Sequence, residues 1–136
     1  MQLRFEDLMF PILEMRTNVK HDANGERAGT QLLVDQQLQK LEGADKRYGF
    51  AVSVSSDNKA SVNPPYSFMV EAYAIIHAVD STLDAEAEAK QVQANALSLV
   101  MGAIRERVSE MTARGPWGRF LINPTPLTEP MQITYI

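Results

Sequence analysis

Hydrophobic and polar residues alternate with a period of two along two segments in the middle of the chain. In residues 48–55 every second residue is aromatic or β-branched, and small residues lie between them. Residues 66–77 alternate in the same way, but their second face is also largely apolar, since it carries Met69, Tyr73 and Ile75. A period of two is typical of β-strands. We predict a half-buried strand in the first segment and a strand covered on both faces in the second.

Two further segments are predicted to be strands from weaker patterns. Leu8–Arg16 is a short apolar run in which Pro11 favours an edge strand or a bulge, because proline donates no backbone hydrogen bond. Residues 31–41 are rich in Gln, which would suit a helix, but a strand would place Leu32 and Leu38 on one face. Turn-forming residues on both sides of this segment favour the strand.

The hydrophobic period changes after residue 84, where a long helix is predicted. The segment is rich in Ala, Glu and Leu and contains no Pro. Asp84 or Ser81 is a candidate N-cap, acidic residues crowd the first turns, and Arg114-Gly115 ends the helix. A helix that is apolar over so much of its circumference normally contacts more than one surface. We therefore expect it to pack on its own sheet and on a second subunit. The residues predicted at the oligomer interface are Leu97, Val100, Met101, Ile104 and Val108.

The order of these elements predicts the fold class. Four strands come first and one helix follows, which indicates an α+β protein with a four-stranded antiparallel sheet, arranged as a meander. An extended arm follows the helix. The 136 residues show no internal repeat and no linker, so we expect a single domain over residues 1–136.

Composition narrows the function classes. The net charge is −4 and the pI is about 5.1, which argues against nucleic-acid binding, because phosphate neutralisation needs an excess of Lys and Arg. The absence of Cys excludes disulfides and thiolate metal sites. The N-terminal apolar run spans only Leu8–Leu13 and has acidic flanks, so we expect neither a signal peptide nor membrane insertion. We expect a cytoplasmic protein.

The residue types that usually carry out catalysis do not form a recognisable catalytic motif in this sequence. One histidine lies in a turn-rich loop and the other at a strand end, and no phosphate-binding glycine motif is present. Glu86, Glu88, Glu106 and Glu110 are interpreted as a solvated helix face rather than an acid–base pair, because arginines lie close to the second two. We expect no catalytic residue, no metal site and no cofactor, and hence no enzyme.

The arm after the helix is apolar and rich in proline. Aromatic and aliphatic residues recur in it, and most of the seven prolines of the chain lie here. Proline holds such a segment extended, and an extended arm cannot bury its own side chains. It must lie on its own domain, on a second subunit or beside a binding groove, and these alternatives remain open at this point.

Residues 112–127, TARGPWGRFLINPTPL, contain a helix end, the single Trp and three prolines in an otherwise apolar stretch. This stretch resembles the C-terminal signature of the SecB protein-export chaperone family. In that family a long helix ends in a Ser/Thr-Arg-Gly type turn, an aromatic follows the Gly by two positions, and an extended segment leads to a Pro and then an aromatic. Arg114-Gly115 matches the turn and Trp117 matches the first aromatic. The remaining matches, at the family's spacing, are Phe120, Ile122, Pro124 and Leu127, the last in place of the usual Phe.

The resemblance implies an ATP-independent chaperone, a holdase, that assembles as dimers or tetramers and binds unfolded or export-destined polypeptides along apolar grooves. A translocase motor and an antitoxin are candidate partners. The candidate peptide-binding residues are Met69, Tyr73, Ile75, Trp117, Phe120 and Met131. The chain lacks the Cys residues of the family's zinc-binding tail, Pro130 opposes a second helix, and the loop between the first two strands lacks the aromatic that typically lines a client pocket. The alternative hypothesis is an oligomeric assembly protein of the same fold without general client binding.

Overall fold

The computed structural model describes residues 1–25, 30–43, 45–122 and 133–135, in which five strands form one sheet and one helix packs across it. The elements are β1 (Gln2–Thr17), β2 (Leu32–Lys40), β3 (Arg47–Ser56), β4 (Tyr66–Val79), α1 (Ala85–Thr112) and β5 (Ile133–Tyr135). The order of the strands in the sheet is β1-β4-β3-β2-β5. The four predicted strands and the predicted helix are confirmed, whereas β5 was not predicted.

Strand β1 does not follow the predicted meander. Strands β2, β3 and β4 are consecutive neighbours, but β1 pairs antiparallel with β4 instead of β2. The connection from β1 to β2 therefore passes from one side of the sheet to the other, and β4 becomes a central strand with two partners. Strand β1 lies at the edge, with Pro11 inside a register shift between Met9 and Ile12, as the proline predicted.

The core lies between the sheet and α1. Every second residue of β4 is buried, as the alternating pattern predicted, and β3 contributes Phe50, Val52 and Val54 at 0% exposure. From the helix, residues four apart face these side chains, because positions i and i+4 lie on one side of an α-helix. The fully or almost fully buried helix residues of this row are Val92, Ala96, Val100, Ile104 and Val108.

The predicted oligomer interface falls largely inside this core. Val100, Ile104 and Val108 are at most 1% exposed and Met101 is 6% exposed, so they contact the protomer's own sheet and are not available to a second copy in this arrangement. Leu97 packs at the margin of the core. A large apolar side chain of α1 that does face outward is Leu99, which is 61% exposed. The wide apolar stripe of the sequence combined the buried row of helix residues with the residues on either side of it, so it did not separate core positions from exposed ones.

A buried polar pair joins the first turn of α1 to β3. The Tyr48 hydroxyl donates a 2.7 Å hydrogen bond to Glu88, and the two residues are 1% and 3% exposed. Burial alone would raise the pKa of Glu88, but hydrogen bonds from Tyr48 and Ser81 and the charges of Lys40 and Lys46 hold that pKa below its ordinary value. Burial, and then the adjacent carboxylate, raise the pKa of Tyr48. The prediction that Glu88 lies on a solvated helix face is therefore wrong.

The sheet face opposite α1 is half-buried. It carries Met69, Tyr73 and Ile75 from β4, at positions that alternate with the core residues. The Tyr73 ring lies over Gly49 of β3, where a Cβ atom would overlap the Tyr73 hydroxyl. Among the described elements only α1 packs across the sheet, and it covers the other face. The prediction that β4 is covered on both faces is therefore confirmed within this protomer only for the face that packs against α1.

Candidate functional site

The residues that follow α1 are held by a buried tyrosine at the end of the sheet where β4 begins. The backbone N–H of Trp117 donates to the Tyr66 hydroxyl at 3.0 Å, and that hydroxyl donates to the Gly118 carbonyl at 2.7 Å. A Cβ atom at Gly115 would overlap the Tyr66 ring, so this position needs glycine. Gly118 has a φ of +84°, the left-handed region that favours glycine. The turn that was predicted from Arg114-Gly115 is therefore built around Tyr66.

A threonine at the last helical position fixes the direction of the arm. Thr112 donates through its hydroxyl to the Val108 carbonyl at 2.8 Å and accepts the backbone N–H of Phe120 at the same distance. One turn earlier, Ser109 accepts a 2.8 Å hydrogen bond from the Arg119 side chain. These contacts bring the arm back along the end of the helix, so that the Phe120 side chain points to the core.

We expect Tyr66→Phe to loosen this turn without unfolding the chain. The substitution leaves the Trp117 N–H and the Gly118 carbonyl without their partner, which costs about 1–2 kcal/mol of unfolding free energy. Because Trp117 is the single tryptophan, its emission should shift to the red at the same time. Urea denaturation followed by Trp fluorescence measures both effects, with Tyr73→Phe on the open sheet face as the control. Unchanged stability and unchanged emission would show that Tyr66 does not hold the turn.

The turn places Trp117 and Phe120 around a cavity of about 280 Å³. Trp117 donates through its indole N–H to the Asn18 carbonyl at 3.0 Å, and its ring centroid lies 4.9 Å from that of His21. Phe120 packs on Phe68 with centroids 5.6 Å apart. The residues that line the cavity include His21, Thr30, Asn63, Pro65, Trp117 and Phe120.

The cavity has apolar walls and a few polar groups. The His21 Nδ1 atom and the Asn63 carbonyl lie 2.9 Å apart, which orients the imidazole ring beside the indole. The Thr30 hydroxyl is buried and has no hydrogen-bond partner among the described residues. Ligand pockets for complete small molecules start at about 300 Å³, so this cavity suits one or two side chains of a larger ligand.

The structure brings together only part of the predicted peptide-binding set. Trp117 and Phe120 line the same cavity. Met69, Tyr73 and Ile75 lie on the sheet face opposite the helix, whereas Phe120 packs on the helix side, so the two groups form separate surfaces. Met131 lies outside the described residues, as do Pro124 and Leu127 of the signature.

Sequence reasoning missed the contributions of His21, Thr30 and Pro65 to the cavity. The resemblance directed attention to the loop after β1, but only for an aromatic residue, and the loop has the imidazole of His21 instead. Thr30 precedes β2 and Pro65 precedes β4, and these two strands run parallel to each other and begin at the same end of the sheet. That neighbourhood follows from the strand order, which no local pattern reveals.

Comparisons with known proteins support the fold. No protein-family model matches the chain. No curated protein matches it either. Among solved structures, the chain is similar to a SecB-like chaperone from Mycobacterium tuberculosis in complex with a peptide from the HigA1 antitoxin, with 12% identity, a TM-score of 0.60, and coverage of 89% of this chain and 86% of that one. It is also similar to a protein of unknown function from Streptococcus agalactiae, with 12% identity, a TM-score of 0.45, and coverage of 90% and 97%.

The first of these structures shows that the chain has a SecB-like fold, which confirms the predicted fold class of an antiparallel sheet followed by a long helix. Identity at this level shows the fold alone, and a fold does not determine a function. Within the described residues, no helix is long and apolar enough to cross a membrane.

Proposed function

We propose that this protein is an ATP-independent holdase that binds unfolded polypeptides, and that client side chains enter the cavity between Trp117 and Phe120. The observation that carries the proposal is the cavity itself, which the signature residues after α1 build together with the loop after β1. The mycobacterial chaperone of the same fold binds an antitoxin peptide, which supports a polypeptide as the ligand class.

The physical basis of binding is the burial of apolar side chains of the client. Trp117 is 38% exposed, so part of its ring is available to a ligand while its indole N–H is already bonded to Asn18. Burial of apolar area contributes roughly 25 cal/mol per Å², and aromatic anchors at the centre of a contact carry most of the affinity. Because the walls recognise apolar character and not one sequence, such a site suits many unfolded chains.

The other predicted client residues belong to a second surface in this proposal. Met69, Tyr73 and Ile75 offer half-buried apolar area on the open sheet face. Clients destined for export and an antitoxin partner are both compatible with an apolar cavity. We further propose a cytoplasmic homo-oligomer, a dimer or a tetramer, whose contacts use exposed apolar residues such as Leu99 and, on β1, Leu8 and Leu13.

The test is co-elution with a permanently unfolded protein in size-exclusion chromatography with light scattering. We expect the wild-type oligomer to bind the unfolded chain and Trp117→Ala to weaken binding at least about tenfold, because loss of an aromatic anchor has effects of this size. The matched control is Leu83→Ala, since Leu83 has a similar exposure of 37% but lies before α1, at the opposite end of the helix from Trp117.

An oligomer that ignores the unfolded protein would contradict the holdase proposal and favour the assembly protein. Equal weakening by Trp117→Ala and Leu83→Ala would support a holdase but would show that clients do not bind in the cavity. Circular dichroism of both variants separates a loss of binding from a loss of folding.

A further inference from the structure

A second concave surface lies beside the loop that follows β1, at the place where β1 ends and β4 begins. It is an open cleft with a volume of about 450 Å³. A volume of this size falls in the range of small-molecule sites, which begins at about 300 Å³. The side chains along the cleft that face a ligand of this kind include those of Arg16, Thr17, Val19, Lys20, Asn58 and Ser67.

The cleft is rich in hydrogen-bond donors that have no partner within the protein. Among the described residues that line it, Arg16 and Lys20 are cations, none is a carboxylate, and neither cation forms an ion pair. The hydroxyls of Thr17 and Ser67 and the side-chain NH2 group of Asn58 have no hydrogen-bond partner in the part of the chain that the structure describes. The cleft is thus positive, although the whole chain has a net charge of −4.

The carboxylates that lie nearest along the chain do not bind these cations. Asp57 accepts two backbone N–H groups of its own turn, at 3.1 and 3.3 Å. Asp22 likewise accepts a backbone N–H group of its own turn, at 3.0 Å. Glu14 lies two residues before Arg16 on β1, but no ion pair joins the two side chains. Both cations therefore remain available to an anion.

The backbone around the cleft is held in place by Asn18. Its side-chain NH2 group donates to the Pro64 carbonyl at 2.6 Å, and its Oδ1 atom accepts the backbone N–H of Lys20 at 3.1 Å. The backbone N–H of Asn18 donates to the Pro65 carbonyl at 2.9 Å. These bonds join the loop after β1 to the segment before β4, so the walls of the cleft are formed before a ligand binds. A preformed site lowers the entropic cost of binding.

We propose that this cleft binds a small molecule that carries a phosphate monoester group. Such a group has about 1.5 to 2 negative charges at neutral pH and three acceptor oxygens, which match two cations and the adjacent hydroxyl donors. Arg16 is the cross-strand partner of Ser67, and paired residues have Cβ atoms about 5 Å apart, so both side chains reach one phosphate group. The guanidinium group binds phosphate oxygens in pairs.

The rim of the cleft fits a ligand body with apolar character. Val19 lies there with 85% of its side chain exposed, which is unusual for a large apolar residue next to two cations. The volume of the cleft also exceeds what a phosphate group alone would fill. A phosphate attached to an apolar or aromatic body uses both features, and this site is additional to the proposed holdase function and does not rest on it.

The test is isothermal titration calorimetry of the full-length chain with phenyl phosphate at low ionic strength. We expect a Kd of about 1 mM or tighter. Arg16→Gln and Lys20→Gln should each weaken binding at least about tenfold, because each removes a charge-assisted hydrogen bond. The matched control is Arg4→Gln, since Arg4 lies at the opposite end of β1 and its partner His77 shares a face of β4 with Ser67. Circular dichroism shows that all three variants fold.

Two further ligands test the chemistry of recognition. Phenyl sulfate has the same shape but a single charge, and inorganic phosphate lacks the apolar body, so both should bind more weakly than phenyl phosphate. No binding of phenyl phosphate, equal binding of phenyl sulfate or of inorganic phosphate, or an equal effect of Arg4→Gln would overturn the proposal.

Nuclear magnetic resonance places the bound molecule. The indole N–H of Trp117 donates to the carbonyl of Asn18, which lines the cleft, and Trp117 is the single tryptophan of the chain. Its indole N–H resonance should therefore shift as phenyl phosphate is added. Binding that leaves this resonance unchanged takes place elsewhere and would also overturn the proposal. No unfolded protein is used in these experiments, so the holdase proposal stands or falls separately.

Discussion

Met101→Asp is expected to destabilise the fold by about 3–5 kcal/mol, because it removes a core side chain and places a carboxylate in an apolar environment. Met101 is 6% exposed and packs between α1 and the sheet. A loss of this size is a large part of the 5–15 kcal/mol that holds a domain together. Urea denaturation followed by circular dichroism measures it directly.

Leu99→Asp is the matched control for this substitution. It introduces the same charge two residues earlier on the same helix, but Leu99 is 61% exposed, so the unfolding free energy of the protomer, measured at a concentration at which no oligomer forms, should change by less than about 0.5 kcal/mol. Its mass in solution reports whether Leu99 contributes to an oligomer. A Met101→Asp chain that keeps wild-type stability and only changes its mass would place Met101 between subunits, as the sequence pattern first indicated.

The second large effect is expected from Tyr48→Phe, which should cost about 1–3 kcal/mol of unfolding free energy at neutral pH. The substitution keeps the ring in the core but removes the 2.7 Å hydrogen bond to Glu88, a carboxylate that is 3% exposed. The cost comes from leaving a buried charge with fewer donors. Chemical denaturation of Tyr48→Phe, Glu88→Gln and the double variant forms a cycle that isolates the coupling between the two residues.

The same pair predicts a pH dependence of defined sign. The pKa of Glu88 in the folded state lies below its ordinary value of 4.5, so its contribution to stability is present above that value and is lost as the pH falls through the folded pKa. The stability difference between the wild type and Glu88→Gln should therefore narrow as the pH falls from about 6 to about 3, a range that extends roughly 1.5 pH units to either side of the ordinary pKa of a glutamate. The raised pKa of Tyr48 acts at the other end, where stability is lost as the pH rises above 10. A gap that stays constant across the acid range would contradict the role of the carboxylate.

Local periodicity was sufficient to predict most of the fold. The alternation in β3 and β4 identified both the strands and the faces that pack against α1, since a strand can bury every second residue with no further information. The turn-forming flanks decided correctly for a strand in β2 despite its Gln content. Asp84, one of the two predicted candidates, caps the helix and accepts the backbone N–H of Ala87 at 2.8 Å.

The features that the sequence did not reveal depend on contacts between distant segments. The place of β1 beside β4 depends on how a long connection crosses the sheet, which leaves no local pattern. Glu88 was grouped with the other carboxylates of the helix as solvated, and its burial depends on Tyr48, on Ser81 and on two lysines, which no local pattern places beside it. The predicted peptide-binding residues combined two surfaces of the molecule. The alternating pattern of β4 shows which of its residues share a face of the sheet, but it does not show which face the arm after α1 contacts.

Helix α1 is fastened to the rest of the fold at both ends by directional contacts, with nonpolar packing between them. Near its start, Glu88 is tied to β3, and at its end Thr112 holds the Phe120 backbone. A slide of one residue would move the helix by about 1.5 Å along its axis and break both sets of hydrogen bonds at once. A one-residue slide of α1 would therefore cost directional contacts at both of its ends, and we expect the helix to keep its axial position when the cavity is filled.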